Sequence, residues 1–275
     1  MTRVSFEFFP PREVSSLDSL VSNVASRLSE SRPDFFSVTY GAGGSTRDGT
    51  FDTVAKLIDS GHDATPHLSI GADSDEEVCA LLERYRDIGV KRIVALRGDV
   101  PSGMGAPRLK KNAESLVALI RKHFGDSFAI EVAAYPEIHP DAHSPDDDLD
   151  FFKRKVEAGA DSAITQYFYN PYAYLDFRER CAAAGLTIPI HVGIMPITNF
   201  DSIVRFSEKA GADVPRWMLK KLELIRDDET AVRDFGVEVC ARLCEDLRAH
   251  EAPGFHFYTL NRWGATKRIL EQLDL

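Results

Sequence analysis

Eight short apolar or alternating runs, each followed by a longer run of helical period, take turns along this 275-residue chain. That alternation restricts the fold more than any other feature of the sequence. The strand candidates are Val4 to Pro10, Asp34 to Gly41, Ala64 to Gly71, Arg92 to Gly98, Ala129 to Pro136, Ser162 to Tyr169, Ile188 to Pro196 and Phe255 to Leu260. Between them lie helical segments such as Asp75 to Ile88, where Val78, Leu81, Leu82 and Tyr85 recur at three and four, and Asp148 to Ala158. Gly61, Gly89, Gly125, Gly159, Gly185 and Gly211 each follow a helical run and read as helix stops. Asp73-Ser74-Asp75-Glu76, Ser144-Pro145-Asp146 and Asn170-Pro171 read as helix starts, supplying cap oxygens, first-turn prolines and acidic residues.

Eight βα units without antiparallel hairpin signals predict an α/β fold of one kind, a closed (β/α)₈ barrel (TIM barrel), rather than an open doubly wound sheet. The length suits it, since such a barrel takes about 250 residues. The stretch from Val214 to His250 reads as two or three extra helices inserted between the seventh helix and the eighth strand, so residues 1–275 are expected to form a single barrel domain. In this architecture chemistry gathers at the carboxyl ends of the strands, and polar residues there are the ones to weigh.

The charge balance narrows the partners. A formal net charge of −10 without a local basic stripe argues against nucleic acid and against anionic membrane surfaces. The opening MTRVSFEFFPP lacks the apolar stretch of a secretory signal, and no run approaches transmembrane length. Cys79, Cys181, Cys240 and Cys244 are scattered without metal-site spacing. A cytoplasmic address with reduced thiols is expected.

In the first strand candidate, Glu7 shares a face with Ser5 and Phe9, and Val4, Phe6 and Phe8 share the other. A carboxyl set among aromatics loses hydration, which raises its pKa and suits it to general acid work at neutral pH. The alternative is a carboxylate paired with a neighbouring Arg or Lys. The glycines that follow Thr39 and Tyr40 fail the dinucleotide pattern, because Thr46 stands where its third glycine belongs. They read instead as a mobile backbone over a site, with the Thr39 hydroxyl at the strand tip.

Leu96-Arg97-Gly98-Asp99 places a cation, a glycine and a carboxylate at the end of the fourth strand, where Arg97 and Asp99 could also simply pair with each other. His67, Tyr135, His139, Gln166 and Arg262 complete the rim. His139 and His143 stand four apart, but Pro140 argues for a loop and no Glu completes a zinc motif, so no metal is expected. No strand candidate carries a lysine for Schiff-base chemistry, and no G-x-S-x-G elbow occurs. Cys240 and Cys244, one helical turn apart, read as packed rather than reactive.

At these same positions the sequence resembles the methylenetetrahydrofolate reductase family. The matching segments are Ser5-Phe6-Glu7-Phe8-Phe9-Pro10-Pro11, Val38-Thr39-Tyr40-Gly41-Ala42, Pro66-His67-Leu68, Ala95-Leu96-Arg97-Gly98-Asp99, Ala133-Ala134-Tyr135-Pro136-Glu137, Lys153-Arg154-Lys155, Ile164-Thr165-Gln166 and Phe255 through Arg262. The resemblance implies a barrel enzyme of one-carbon metabolism that holds FAD non-covalently. It takes a hydride from NADH or NADPH and passes it to methylenetetrahydrofolate, the two substrates using one site in turn. It further implies that Glu7 is the general acid and that Asp99 tunes the flavin and stabilises a cationic intermediate. Thr39, His67, Leu96, Arg97, Gly98, Asp99, Tyr135, His139, Asp148, Arg154 and Lys155 would contact FAD, with Arg97, Arg154 and Lys155 suited to its pyrophosphate. Glu7, Asp99, Gln166, Phe206 and Arg262 would contact the folate, Gln166 at the pterin, Phe206 on its aromatic middle and Arg262 at its glutamate end.

Two positions depart from the family pattern: Phe151 replaces a common polar flavin contact, and Ser202 replaces a common substrate-binding Gln. The resemblance also implies a homo-oligomer, a lean toward NADH, and, since the sequence stops after the eighth helix, no regulatory domain and no inhibition by S-adenosylmethionine. A flavin-independent folate reductase using the same acid, and a non-catalytic barrel that binds folate or flavin, are the alternatives.

Overall fold

Eight parallel strands close on one another in sequence order, each paired with the next and the last with the first. They are β1 (Arg3–Phe8), β2 (Phe36–Val38), β3 (Ala64–Ser69), β4 (Arg92–Leu96), β5 (Ala129–Ala134), β6 (Ser162–Thr165), β7 (Ile190–Ile194) and β8 (Gly254–Tyr258). This computed structural model describes residues 2–40, 47–69, 73–97 and 112–275. The first crossover is a continuous helical run, α1, built from Val14–Ser19, a wide turn over Leu20–Ala25, Ser26–Leu28 and the tight turn Ser29–Ser31. The others are α2 (Arg47–Asp59), α3 (Asp75–Asp87), α4 (Ala113–Phe124), α5 (Pro145–Glu157), α6 (Pro171–Ala183) and α7 (Phe200–Ala210). Two inserted helices, α8 (Arg216–Ile225) and α9 (Glu229–Ala249), precede β8, and α10 (Gly264–Gln272) follows it. The (β/α)₈ barrel and its insertion are those the alternation predicts.

Local signals account for the boundaries. Ser74 accepts from the Glu77 amide while the Glu77 carboxylate accepts from the Ser74 amide, a reciprocal cap on α3. Ser144 and Asn170 cap α5 and α6 ahead of Pro145 and Pro171. The glycines read as helix stops all carry positive φ. At Gly211 (φ +68°) a Cβ would also lie 2.6 Å from Pro140 Cγ, so both conformation and space ask for glycine there. The strands are shorter at their carboxyl ends than expected: Phe9, Pro10 and Gln166 to Tyr169 lie beyond the ladder and build the rim instead.

Alternation sorts the layers. Phe6, Phe8 and Phe36 face outward into the strand–helix core, where Phe8 stacks on Phe36 at 5.2 Å. Ser5 and Ser37 face inward and meet His256 of β8, Ser5 Oγ lying 2.7 Å from Nδ1 and Ser37 Oγ 3.3 Å from Nε2. Burial holds His256 far below the usual imidazole range, so the ring is neutral and the rotatable hydroxyls adapt to its tautomer. Cys240 and Cys244 are buried, and burial pushes both thiols up, which fits packing rather than reactivity. Gly193 of β7 admits no side chain: a Cβ would sit 2.1 Å from the Thr165 carbonyl oxygen and 2.7 Å from the Tyr258 ring. Gly193→Ala is expected to destabilise the barrel by about 1–3 kcal/mol through overpacking, read as a lower denaturant midpoint in urea.

Candidate active site

Glu7 ends up inside the barrel near the carboxyl end of β1, paired in register with Ser37 of β2 and Tyr258 of β8. It is 8% exposed, and burial pushes its carboxyl up to about 8. His67 of β3 faces it, with Nε2 3.5 Å from a Glu7 carboxyl oxygen, and burial holds that imidazole down to about 3. The separation and the direction of both shifts oppose an ion pair: each group stays neutral, Glu7 with its proton and His67 without. No Arg or Lys among the described residues pairs with Glu7, so the dry acid is the reading that survives. Proton release by Glu7 is then expected to fail as pH rises through about 8, seen as an alkaline fall in the rate of whatever step consumes that proton.

Around this acid two buried polar atoms lack hydrogen-bond partners among the described residues, Thr39 Oγ1 and His67 Nε2. Thr39 sits one residue past β2, its amide donating to the Phe8 carbonyl at 2.9 Å. Buried polar groups without partners in a native fold mark places where a ligand completes the bonding. The next sector of the rim gathers Tyr135, His139, Asp148 and Lys155. Tyr135 and His139 meet edge to face at 4.5 Å. The His139 backbone bonds the Asp148 carboxylate, and Lys155 Nζ donates to the Ala133 carbonyl at the end of β5. Burial pushes the Asp148 carboxyl up and brings the Lys155 ammonium down to about 8, with Asp148 resisting the second shift.

Several other expected contacts already have partners of their own. Arg97 pairs at 2.5 Å with Asp141, while Gly98 and Asp99 lie outside the described residues. Arg154 is solvent-facing, 3.7 Å from a Glu114 oxygen and 4.4 Å over the ring of Phe151, the position that departs from the family pattern. Leu96 is half-buried against a small cluster of Phe35, Val94 and Ile164. Gln166 and Tyr135 line one small cavity, and the Gln166 side-chain oxygen accepts from the Tyr167 amide at 3.1 Å. Phe206 is half-buried on α7 under Arg205. Ser202 donates its amide to Asn199 Oδ1, which caps α7. Arg262 is exposed beyond β8.

The same rim holds two groups that residue-by-residue reading of the sequence did not single out. Glu137 lines the cavity beside Gln166, accepts from the Asp213 amide at 2.8 Å, and is pushed up to about 7 by burial. Ile138 beside it has φ +72°, an unusual conformation for a β-branched residue. Tyr258 donates to the Thr165 carbonyl at 2.7 Å across the barrel mouth, beside Glu7. Their place just past β5 and at the end of β8 was the available signal.

A parallel barrel with a protonated carboxyl and unpartnered polar atoms at its carboxyl-end mouth defines a barrel enzyme that handles protons in a dry site. The family model of methylenetetrahydrofolate reductase matches residues 1–274, and the chain belongs to that family, as an oxidoreductase of one-carbon metabolism that reduces methylenetetrahydrofolate. It is 41% identical to the 5,10-methylenetetrahydrofolate reductase of Escherichia coli (strain K12) over 260 residues, 94% of this chain and 86% of the relative. It is 37% identical to methylenetetrahydrofolate reductase 1 of Schizosaccharomyces pombe over 279 residues, 98% of this chain and 46% of that protein. A solved Clostridium thermocellum protein, described as binding two copies of 5-methyl-5,6,7,8-tetrahydrofolic acid, superposes with a TM-score of 0.70 at 16% identity. That match covers 98% of this chain and 93% of the solved chain, and shows a shared fold. Among the described residues no helix is long and apolar enough to cross a membrane.

Proposed function

We propose that this chain converts methylenetetrahydrofolate to methyltetrahydrofolate with non-covalent FAD as hydride relay, NADH or NADPH as donor, and Glu7 as general acid. The observation that carries the reading is the dry, protonated Glu7 beside the unpartnered Thr39 hydroxyl and His67 nitrogen. When bound, FAD supplies hydride transfer between a nicotinamide and the folate. Thr39, His67, Tyr135, His139, Asp148 and Lys155 would hold it, Thr39 and His67 offering buried polar atoms without partners among the described residues, and His139, Asp148 and Lys155 forming a polar group past β5. Leu96, Arg97, Gly98, Asp99 and Arg154 join them by family resemblance; Arg97 and Arg154 would exchange their exposed carboxylate partners for the pyrophosphate.

Glu7 keeps its proton at neutral pH because ionisation would strand a charge in the barrel mouth. It gives that proton to the folate nitrogen as the one-carbon bridge opens to an iminium cation. Glu7 is then an anion beside the cation it helped form, and Asp99, by family resemblance, would add a second negative charge that favours the same species. Gln166 fits the hydrogen-bonding edge of the pterin, Phe206 its aromatic middle and Arg262 its glutamate carboxylates. One mouth serves nicotinamide and folate in turn, which supports ping-pong kinetics. Exposed Trp217 and Leu224 on inserted α8, 61% and 84% accessible, support a homo-oligomer, for sedimentation to check. The cytoplasm is the proposed address.

The test is the visible spectrum of the purified protein, followed by anaerobic NADH and then methylenetetrahydrofolate. Flavin bands that bleach with NADH and return with the folate are expected. A colourless protein that acquires no bands when FAD is supplied would overturn the flavin reading.

A further inference from the structure

The pairing of β1 with β8 stops at Glu7 and Tyr258, yet the β1 backbone goes on being bonded from Glu7 to Phe9. Thr259 Oγ1 donates to the Glu7 carbonyl at 2.6 Å. From the other side, the Thr39 amide donates to the Phe8 carbonyl at 2.9 Å. Asn261 then takes both polar groups of Phe9: Oδ1 accepts from its amide at 2.8 Å and Nδ2 donates to its carbonyl at 2.9 Å. One side-chain amide thus supplies the acceptor and the donor that a further stretch of neighbouring strand would supply. The turn that presents these side chains is strained. The Arg262 amide donates to the Thr259 carbonyl at 2.9 Å, closing a four-residue turn whose central residues both lie at positive φ, Leu260 at +51° and Asn261 at +58°. Asn tolerates that conformation, but Leu rarely adopts it. The Thr259 hydroxyl also accepts from the Asn261 amide at 3.2 Å, so the turn and its two side chains brace one another. Backbone held in this way persists only where its surroundings fix it, and it gathers at functional sites.

We propose that Thr259 and Asn261 are positioning residues for the general acid: their side chains continue the β8 edge past its last ladder residue and hold the tip of β1, so that the Glu7 carboxyl stays opposite His67 and out of water. The bonds fall where such a role needs them. Glu7 and Phe9 share one face of the strand by alternation, and it is the backbone of these two residues that the turn after β8 grips. The titratable groups that face Glu7 among the described residues are His67 of β3 and Tyr258 of β8, and burial keeps both neutral at neutral pH. No charge therefore holds the carboxyl in place, and its placement is left to the backbone beneath it. The proposal rests on the reading of Glu7 as general acid and adds what keeps that acid aimed.

The test compares the FAD-loaded parent with Asn261→Gly and Thr259→Val proteins. Glycine suits the positive φ at position 261 and removes the amide; valine keeps the branched shape at position 259 and removes the hydroxyl. If one variant fails to fold, the other carries the same test. Bleaching by NADH is expected to stay within about twofold of the parent while reoxidation by methylenetetrahydrofolate slows about 10²-fold, the cost of a displacement of about 1 Å at the reacting group. The alkaline limb of that half-reaction, expected at about 8 in the parent, should move to lower pH, because a carboxyl released toward water loses the burial that keeps it protonated. Infrared absorption of the protonated carboxyl, assigned by its loss in Glu7→Gln protein, follows the same titration with no substrate present. A clamp that served stability alone would lower the thermal midpoint and leave the titration and the ratio of the half-reactions as they are. That result in a folded variant would overturn the proposal and leave the folate reading standing. If the parent is not reoxidised by the folate at all, the folate reading fails, and the infrared titration still decides whether Thr259 and Asn261 hold Glu7 in place.

Discussion

Glu7→Gln protein is expected to reduce methylenetetrahydrofolate about 10²–10⁴-fold more slowly than the parent, the usual worth of a positioned general acid, while still accepting electrons from NADH. The amide keeps the shape of the protonated carboxyl and can donate a hydrogen bond, but it has no proton to transfer to the folate nitrogen. Anaerobic stopped-flow absorbance separates the two half-reactions. Bleaching by NADH should persist and reoxidation by the folate should nearly vanish; near-parental reoxidation would remove Glu7 from its role.

Stability gives an independent check with a definite sign. The Glu7 carboxyl, ordinarily near 4.5, is raised to about 8 in the fold, so between those values the native state holds a proton that the unfolded chain has released. Its contribution to stability is full below about 4.5 and is lost as pH rises through about 8. Glu7→Gln protein should show a flatter dependence of unfolding free energy on pH across that window.

What could be read from the residues, and what could not, follows from range. The helix stops, the caps at Ser74, Ser144 and Asn170, and the inserted α8 and α9 depend on neighbours within a turn or two, and the structure has them where the sequence predicts. Glu7 could be placed inside the barrel because strand alternation puts it with Ser5 and opposite the phenylalanines. Its surroundings could not: the inward layer joins Ser5 to His256 across 251 positions, and nothing local to either residue announces the other. For Arg97 the adjacent Asp99, outside the described residues, was the partner to consider; the structure adds Asp141, 44 positions away on the loop after β5, which no local signal announces. Strand ends were read too long for a related reason. Phe9 and Gln166 have strand-like neighbours, but at the mouth the ladder gives out: Asn261 holds Phe9, and Gln166 makes one last backbone bond, its amide to the Ala134 carbonyl, before the chain turns away.

The opposite end of the barrel carries the largest expected effect on stability. Glu131 of β5 is wholly buried; one of its oxygens bonds Arg92 at the start of β4, and the other has no partner among the described residues. Arg92 also lies 4.9 Å over the Phe35 ring, which sandwiches the guanidinium between an aromatic face and the carboxylate. Removing the cation would leave a carboxylate in the barrel floor with neither water nor a counter-charge, so Arg92→Ala is expected to cost about 3–5 kcal/mol. Adding Glu131→Gln should recover part of that loss, because a neutral amide tolerates burial that a lone charge does not. Urea unfolding of the two single variants and the double variant measures the coupling directly. Arg92 and Glu131 occupy the amino-terminal face, away from Glu7, so the folded fraction of Arg92→Ala should keep its turnover while its midpoint falls. A loss below about 1 kcal/mol would mean that the pair is an exchange of burial cost for attraction rather than a net support of the barrel.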